Sequence, residues 1–264
     1  MIEYSKIEYI YYLLPIVGFI VGLFGTVLGG GGGFVFLPVL ILMLGIPTQS
    51  AVVTTLVATL PIGMVGSVGH YRKQNIHLSV AGIFAIAGLV GAIIGVVITS
   101  HITSVQLRKG FGAYSALIAM NIFYTTYLQK KRVADDNSLK LTKTGRITRG
   151  SFFGMTAGII TGTFGTSGTA PIMAGLFSLR IPLKLVIGTS LLVVLTNTLF
   201  AIGAHLLVAK VDLTVVLFLT SGSVFGAFLG PRILSNLKTD HSEGKIKYVY
   251  AGIIFLIGIL MIWG

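Results

Sequence analysis

The chain has 264 residues, 54% of them hydrophobic and 10% charged, with a formal net charge of +12 and no cysteine. An average soluble domain carries about 25% charged residues. Here residues 9–71, 74–107, 110–129, 150–179, 185–209, 213–231 and 248–264 contain no Asp, Glu, Lys or Arg, and stretches of that length hold several bilayer spans of about 20 residues each. Soluble enzymes and nucleic-acid-binding modules are excluded in spite of the basic balance, as are disulfides and thiolate metal sites.

Reading from the start, Met1 to Tyr12 contains Glu3, Lys6 and Glu8 in place of the basic region of a secretory signal, so the N-terminus is expected to be retained. Tyr4, Tyr9, Tyr11 and Tyr12, before Pro15, read as an aromatic interfacial segment. Two short apolar arms follow, at about 16–28 and 34–44, separated by Leu28 and the run Gly29, Gly30, Gly31, Gly32, Gly33 before Phe34. Each Gly costs about 1 kcal/mol relative to Ala inside a helix, so this run is a break. Three longer helices are expected near 50–70, 78–99 and 108–128.

A polar segment from Gln129 to Arg149, with seven Lys/Arg and two Asp, separates this half from a second one built alike. Its arms lie at 151–161 and 170–179, and its helices near 185–206, 213–230 and 247–263. The second break, Thr161 to Thr169, replaces some glycines by hydroxyls: Thr163, Gly165, Thr166, Ser167, Gly168 and Thr169. With an offset of 133, Gly25, Gly29, Gly32 and Pro38 fall on Gly158, Gly162, Gly165 and Pro171; with an offset of 135, Ile46 and Pro47 meet Ile181 and Pro182, and His70 meets His205. The chain therefore reads as two repeats, 1–128 and 150–264, joined by a basic cytoplasmic linker at 129–149.

At 1.5 Å per residue an arm of 10 to 13 residues covers roughly half of a ~30 Å core. If each pair of arms returns on itself the repeats are inverted; if it runs through as one broken span they are parallel. With the linker inside, the returning arrangement places 15 Lys/Arg inside and four outside, against 11 and eight for the alternative. The positive-inside rule thus favours inverted repeats with both ends away from the cytoplasm. The expected fold is an all-α polytopic membrane protein of the cell membrane, each repeat a Gly-rich re-entrant hairpin plus three transmembrane helices.

Non-helical backbone survives at membrane depth only where it is buried in protein or lines a cavity. Two symmetry-related breaks would meet near the midplane, with the N-termini of the returning arms facing the cavity, an arrangement that favours an anion. The expected substrate-binding set is Gly29, Gly30, Gly31, Gly32, Gly33, Phe34, Thr163, Gly165, Thr166, Ser167, Gly168, Thr169 and Asn197. Thr54, Thr55, Thr189, Ser190 and Thr196 could add hydroxyls, although such residues often bond back to their own helix. His70 and His205 are candidates for gating or proton relay. No ionisable side chain lies deep within an expected span, which argues against a carboxylate-based pump.

The duplicated chain, with its Gly-rich break followed by Pro38 and then Gly45, Ile46 and Pro47, and a weaker copy from Gly158 to Pro182, resembles the sulfite exporter TauE/SafE family, also called the toluene sulfonate uptake permease family. The resemblance runs from about Gly18 to Ile262 and implies a multi-pass transporter of sulfite, sulfoacetate or other sulfur-containing or organic anions. The expected partners are that small anion and the bilayer, with room for a homo-oligomer; neither nucleic acid, cofactor nor metal is called for. Two other readings are weighed against it. Gly165, Thr166, Ser167 and Gly168 fit the G-x-S-G pattern of an intramembrane serine protease with His205 as base, but the duplication explains that site without catalysis. The other is a structural membrane protein.

Overall fold

The computed structural model describes residues 2–27, 32–129, 143–236 and 243–264. A 3-10 turn at Tyr9–Leu13 runs into α1 (Leu14–Val27). After the first break come α2 (Gly33–Pro38), which widens into a π-helical stretch at Val39–Met43, and the long helices α3 (Thr48–Arg72), α4 (Leu78–His101) and α5 (Ser104–Gln129). The second half repeats the series as α6 (Lys143–Phe164), α7 (Thr169–Ser178), α8 (Leu183–His205), α9 (Leu213–Asn236) and α10 (Glu243–Trp263). Among the described residues the strands are β1 (Ile2–Glu3) and β2 (Val211–Asp212), two residues each and paired in parallel. The protein is thus an all-α polytopic membrane protein, and five segments are long and apolar enough to cross a bilayer: 9–26, α3, α4, α8 and 213–230 of α9.

The first arms are longer than their apolar cores suggest. With its preceding turn, α1 makes a continuous segment from Tyr9, and α6 has 22 residues, beginning at Lys143 inside the basic segment. Each is about 28–33 Å at helical or near-helical rise, long enough to cross most of the bilayer. The half-depth estimate holds only for the returning arms, the 10 residues of α7 and the 11 from Gly33 to Met43. Basic and hydroxyl residues extended α6 past the point where hydropathy fell, and Tyr11 is buried against Phe218 although Tyr4, Tyr9 and Tyr12 are exposed as an interfacial segment would be.

Glycine sets the close helix contacts, and the register of those contacts gives the helix directions. Gly158 lies against Gly88 and Ala92, and Gly162 against Ala92 and Val96, so α4 and α6 run parallel. In the same way Gly222 lies against Pro15 and Phe19, Gly226 against Phe19 and Leu23, and Gly230 against Leu23 and Thr26, so α1 and α9 run parallel. In contrast, Gly66 meets Leu191, Gly63 meets Leu195 and Gly188 meets His70 and Asn75, which makes α3 and α8 antiparallel. The start of α9 meets α3 at Thr54, where the Asp212 N–H donates, while Gly66 and Gly230, each farther along its helix, both pack against Thr26 of α1, so α3 and α9 run parallel. It follows that α1 and α3 point the same way, and by the mirror argument so do α6 and α8.

Hydrogen bonds repeat across the halves as well. The Asp212 N–H donates to Thr54 Oγ1 at 3.3 Å, and the His77 N–H donates to Thr189 Oγ1 at 2.9 Å. Adding 135 to Thr54 and His77 gives Thr189 and Asp212, so each half uses one threonine of its long central helix to hold the other half's connection. Pro47 and Pro182 stand before α3 and α8 in matching extended conformations, and their carbonyls accept from Ala51 and Val186.

Candidate functional site

Left-handed backbone shapes both breaks. Gly32 (φ +84°) precedes α2, while Gly165 (φ +66°) and Gly168 (φ +53°) bound the second break, with Gly168 preceding α7. Side chains with a Cβ rarely adopt this region. Space forbids one too: a Cβ on Gly165 would strike the Val52 carbonyl of α3, and one on Gly168 the Ala157 carbonyl of α6. The expected site residues Gly29, Gly30 and Gly31 lie outside the described residues.

The two breaks touch. A Cβ added to Gly33 would sit 2.8 Å from the Thr166 Cα and 2.9 Å from the Gly165 carbonyl oxygen. Gly32 packs against Val21 and Ile62, and Ile62 lies near the middle of α3, so this contact is deep in the bundle. Phe34, the first aromatic after the break, is buried here.

At the start of α7, Thr166, Ser167 and Thr169 are buried and none of their hydroxyls makes a hydrogen bond; the fully buried Asn197 of α8 likewise has neither amide atom bonded. A buried polar group without a partner costs about 1–3 kcal/mol, and an occupant that bonded these groups would remove that cost. The first-turn N–H groups of a helix also lack intrahelical partners; in α7 they belong to Thr169 and Ala170, because Pro171 has none. Hydroxyls beside a helix N-terminus, with no lysine or arginine in residues 150–179, are neutral donors of a kind suited to an anion. Asn197 lies near the middle of α8 with its amide against Gly88 of α4.

Other candidates have structural duties. Thr163 donates to the Gly95 carbonyl at 3.3 Å, and Thr99 donates back to the Thr163 carbonyl at 3.0 Å, tying α6 to α4. Thr196 bonds back to Leu192 and Val193, and Ser190 to Ile187, as hydroxyls in membrane helices commonly do. Thr54 and Thr189 hold the connections described above. Thr55 is fully buried without a hydrogen bond.

The two histidines differ in spite of their matched positions. His70 is half-buried beside Gly188, with Nδ1 enclosed and unbonded. His205 is wholly buried, and its Nε2 lies 2.7 Å from the Gly162 carbonyl, so in the Nε2–H tautomer it donates there, two residues before α6 ends. The interfacial, solvated position open to a helix-end histidine is therefore not the one His205 occupies. No hydrogen bond joins it to Ser167, whose hydroxyl is unbonded, so the pair is not assembled as a serine–histidine dyad.

One group near the site was not read from the sequence. Tyr114 of α5 is stacked between Phe34 and Phe164, with ring centroids 5.7 Å apart on each side and planes inclined by 16° and 14°. Phe111, a turn earlier, meets the same two phenylalanines at 6.1 and 6.0 Å. Phe34 and Phe164 flank different breaks, so only the tertiary fold brings them to one tyrosine. The i, i+3 spacing of Phe111 and Tyr114 was the available signal, but it is common to any apolar helix.

The chain as a whole is similar to known membrane proteins. The family described as sulfite exporter TauE/SafE matches residues 14–261. The chain is 26% identical over 221 residues to the probable membrane transporter protein YdhB of Bacillus subtilis, covering 83% of this chain and 89% of that one. It is 22% identical over 268 residues to the probable membrane transporter protein YunE of the same organism, covering 95% and 97%. A probable membrane transporter protein of Xylella fastidiosa is 27% identical over 250 residues, with 94% and 92% covered. No solved structure matches the chain.

Proposed function

Because the chain belongs to the sulfite exporter TauE/SafE family and is a multi-pass membrane transporter of the cell membrane, we propose that its substrate is a small anion, sulfite, sulfoacetate or another sulfur-containing or organic anion. It is bound where the two breaks meet. The observation that carries this reading is the set of buried, unbonded hydroxyls of Thr166, Ser167 and Thr169 at the start of α7; the buried, unbonded amide of Asn197 in α8 is assigned to the same site. An anion accepts hydrogen bonds from all of them together with the first N–H groups of α7, and it gains from the positive end of that helix.

The repeats are taken as inverted. Support comes from α1 and α3 pointing the same way, which requires the chain to double back between them, and from the antiparallel crossing of α3 and α8. The basic linker is assigned to the cytoplasm and both ends to the opposite face, as the Lys/Arg distribution favours. The protein then works as a carrier or gated path and not as an enzyme.

A thermal-stability screen of the detergent-purified protein against sulfite, sulfate, thiosulfate, sulfoacetate, taurine and simple carboxylates tests the substrate class. A ligand at 100 times its Kd stabilises by about 2.7 kcal/mol, which a melting curve resolves. Stabilisation by anions but not by neutral analogues of the same size is expected; equal stabilisation by both would contradict the reading.

A further inference from the structure

The Phe34–Tyr114–Phe164 stack joins three parts of the molecule that the duplication keeps separate: the start of α2, the end of α6, and α5. It has no counterpart generated by the repeat. With the offset of 133 that aligns the breaks, Phe34 falls on Ser167 and Phe164 on Gly31, so the matching place in the other half is polar or bare. The stack is therefore one-sided. It stands on the N-terminal half of α5, where Gly110 lets the Phe164 ring lie 3.5 Å from the position a Cβ would take. Ring contacts and apolar packing against the core hold Tyr114 there. Its hydroxyl is buried and makes no hydrogen bond, so the ring can leave the stack without breaking one.

We propose that Tyr114 is the movable wall of the transport path: wedged between Phe34 and Phe164, it closes the site toward the face of the bilayer where α5 begins. Withdrawal of its ring from between the two phenylalanines frees the tips to part on that side. Because Phe34 leads into α2 and Phe164 ends α6, one tyrosine senses both hairpins, and a substrate that reorders either break shifts the stack. This inference rests on the site proposed above, but its test reads access and not anion binding.

The chain has no native cysteine, so Ser167→Cys provides a single reporter thiol at the tip. Intact cells carrying this variant are exposed to a membrane-impermeant thiol reagent, and the labelling rate is compared in three further backgrounds, with the reagent also applied to inverted vesicles. Tyr114→Leu keeps apolar bulk but removes the flat ring, Phe164→Leu removes one side of the stack, and Tyr114→Phe preserves the stack without the hydroxyl. Either leucine variant is expected to speed labelling from the face where α5 begins by at least about tenfold, because reaction follows the population of the open state; Tyr114→Phe should label at the parent rate. Unchanged labelling in both folded leucine variants, or acceleration from the opposite face only, overturns the proposal. Should one leucine variant fail to fold, the other decides it. Acceleration in a protein that no anion stabilises would leave the gate standing and remove the anion site, while the converse result would do the opposite.

Discussion

Replacing Asn197 by Leu separates a binding role from a structural one, because the two roles predict opposite changes. The side chain is fully buried and neither its oxygen nor its nitrogen has a partner. In the empty protein this unpaired amide costs about 1–3 kcal/mol, and a leucine of similar volume removes that cost. The neighbouring Gly88 leaves space on the α4 side, although a branched side chain approaches its backbone more closely than the flat amide and recovers less than the full amount. Asn197→Leu should therefore melt no lower than the parent, and by up to a few kcal/mol higher, in the absence of ligand. Hydrogen bonds to a charged group are worth about 1.5–3 kcal/mol, so anion affinity should fall by roughly ten- to hundredfold. Melting curves with and without the anion selected by the stability screen measure both numbers in one experiment. Parent-like affinity in a folded Asn197→Leu protein would refute the placement of Asn197 in the site, and a large loss of stability without ligand would show that the amide is satisfied in a way the geometry does not show.

Ser167→Ala removes one neutral hydroxyl and should weaken anion binding by roughly threefold to tenfold, corresponding to about 0.5–1.5 kcal/mol, with little effect on melting of the unliganded protein. Gly158→Ala puts a Cβ onto the Gly88 carbonyl and should destabilise by about 1–3 kcal/mol or more through overpacking; Gly82→Ala, where nothing lies within 4 Å, should be neutral or gain up to about 1 kcal/mol from helix propensity. An equal response in these two variants would contradict the close α4–α6 contact. For orientation, a cysteine at Ser5 should react with an external impermeant maleimide and one at Ser138 should not; the reverse pattern sinks the assignment of the linker to the cytoplasm.

The helices were legible because their signal is local: an uncharged apolar run long enough to cross a bilayer leaves little choice, and Pro47, Pro182 and the breaks mark where runs begin and end. The duplication told more than hydropathy did: the 135-residue offset that matches His70 to His205 also matches Thr54 to Thr189 and His77 to Asp212, the groups that the structure joins across the halves. Arm lengths were misjudged where a helix continues through polar residues, as α6 does from Lys143, because its first turns lie beyond the apolar run. Side-chain duty was harder still. Thr163 and Thr166 are both hydroxyls of the second break, yet one is used up by the Gly95 carbonyl and the other is left unbonded, a difference set by how closely α4 approaches. The aromatic stack could not be read at all, since Phe34, Tyr114 and Phe164 lie far apart in the sequence and in three different elements.

What the two halves share and where they differ divides the chain by role. Several positions that hold helix to helix have kept their symmetry: the paired threonines, the prolines before α3 and α8, and Gly91 and Gly95 of α4, which match Gly226 and Gly230 of α9. At the breaks the matched glycines Gly32 and Gly165 are kept, but the polar and aromatic positions are not. Asn197 corresponds to Ile62 by the 135-residue offset, and Ser167 corresponds to Phe34 by the 133-residue offset. A symmetric site would offer the substrate two equal places and leave the path equally closed at both ends. Under the site and gate proposed above, the diverged one places the polar donors on the second half and an aromatic closure across one end, so substrate contact and closure would fall to different residues. Selectivity should then respond to substitutions at Thr166, Ser167, Thr169 and Asn197, and access to substitutions at Phe34, Tyr114 and Phe164, with little exchange between the two sets. A substitution in the aromatic set that changed which anion is bound, while leaving reporter access alone, would break that division.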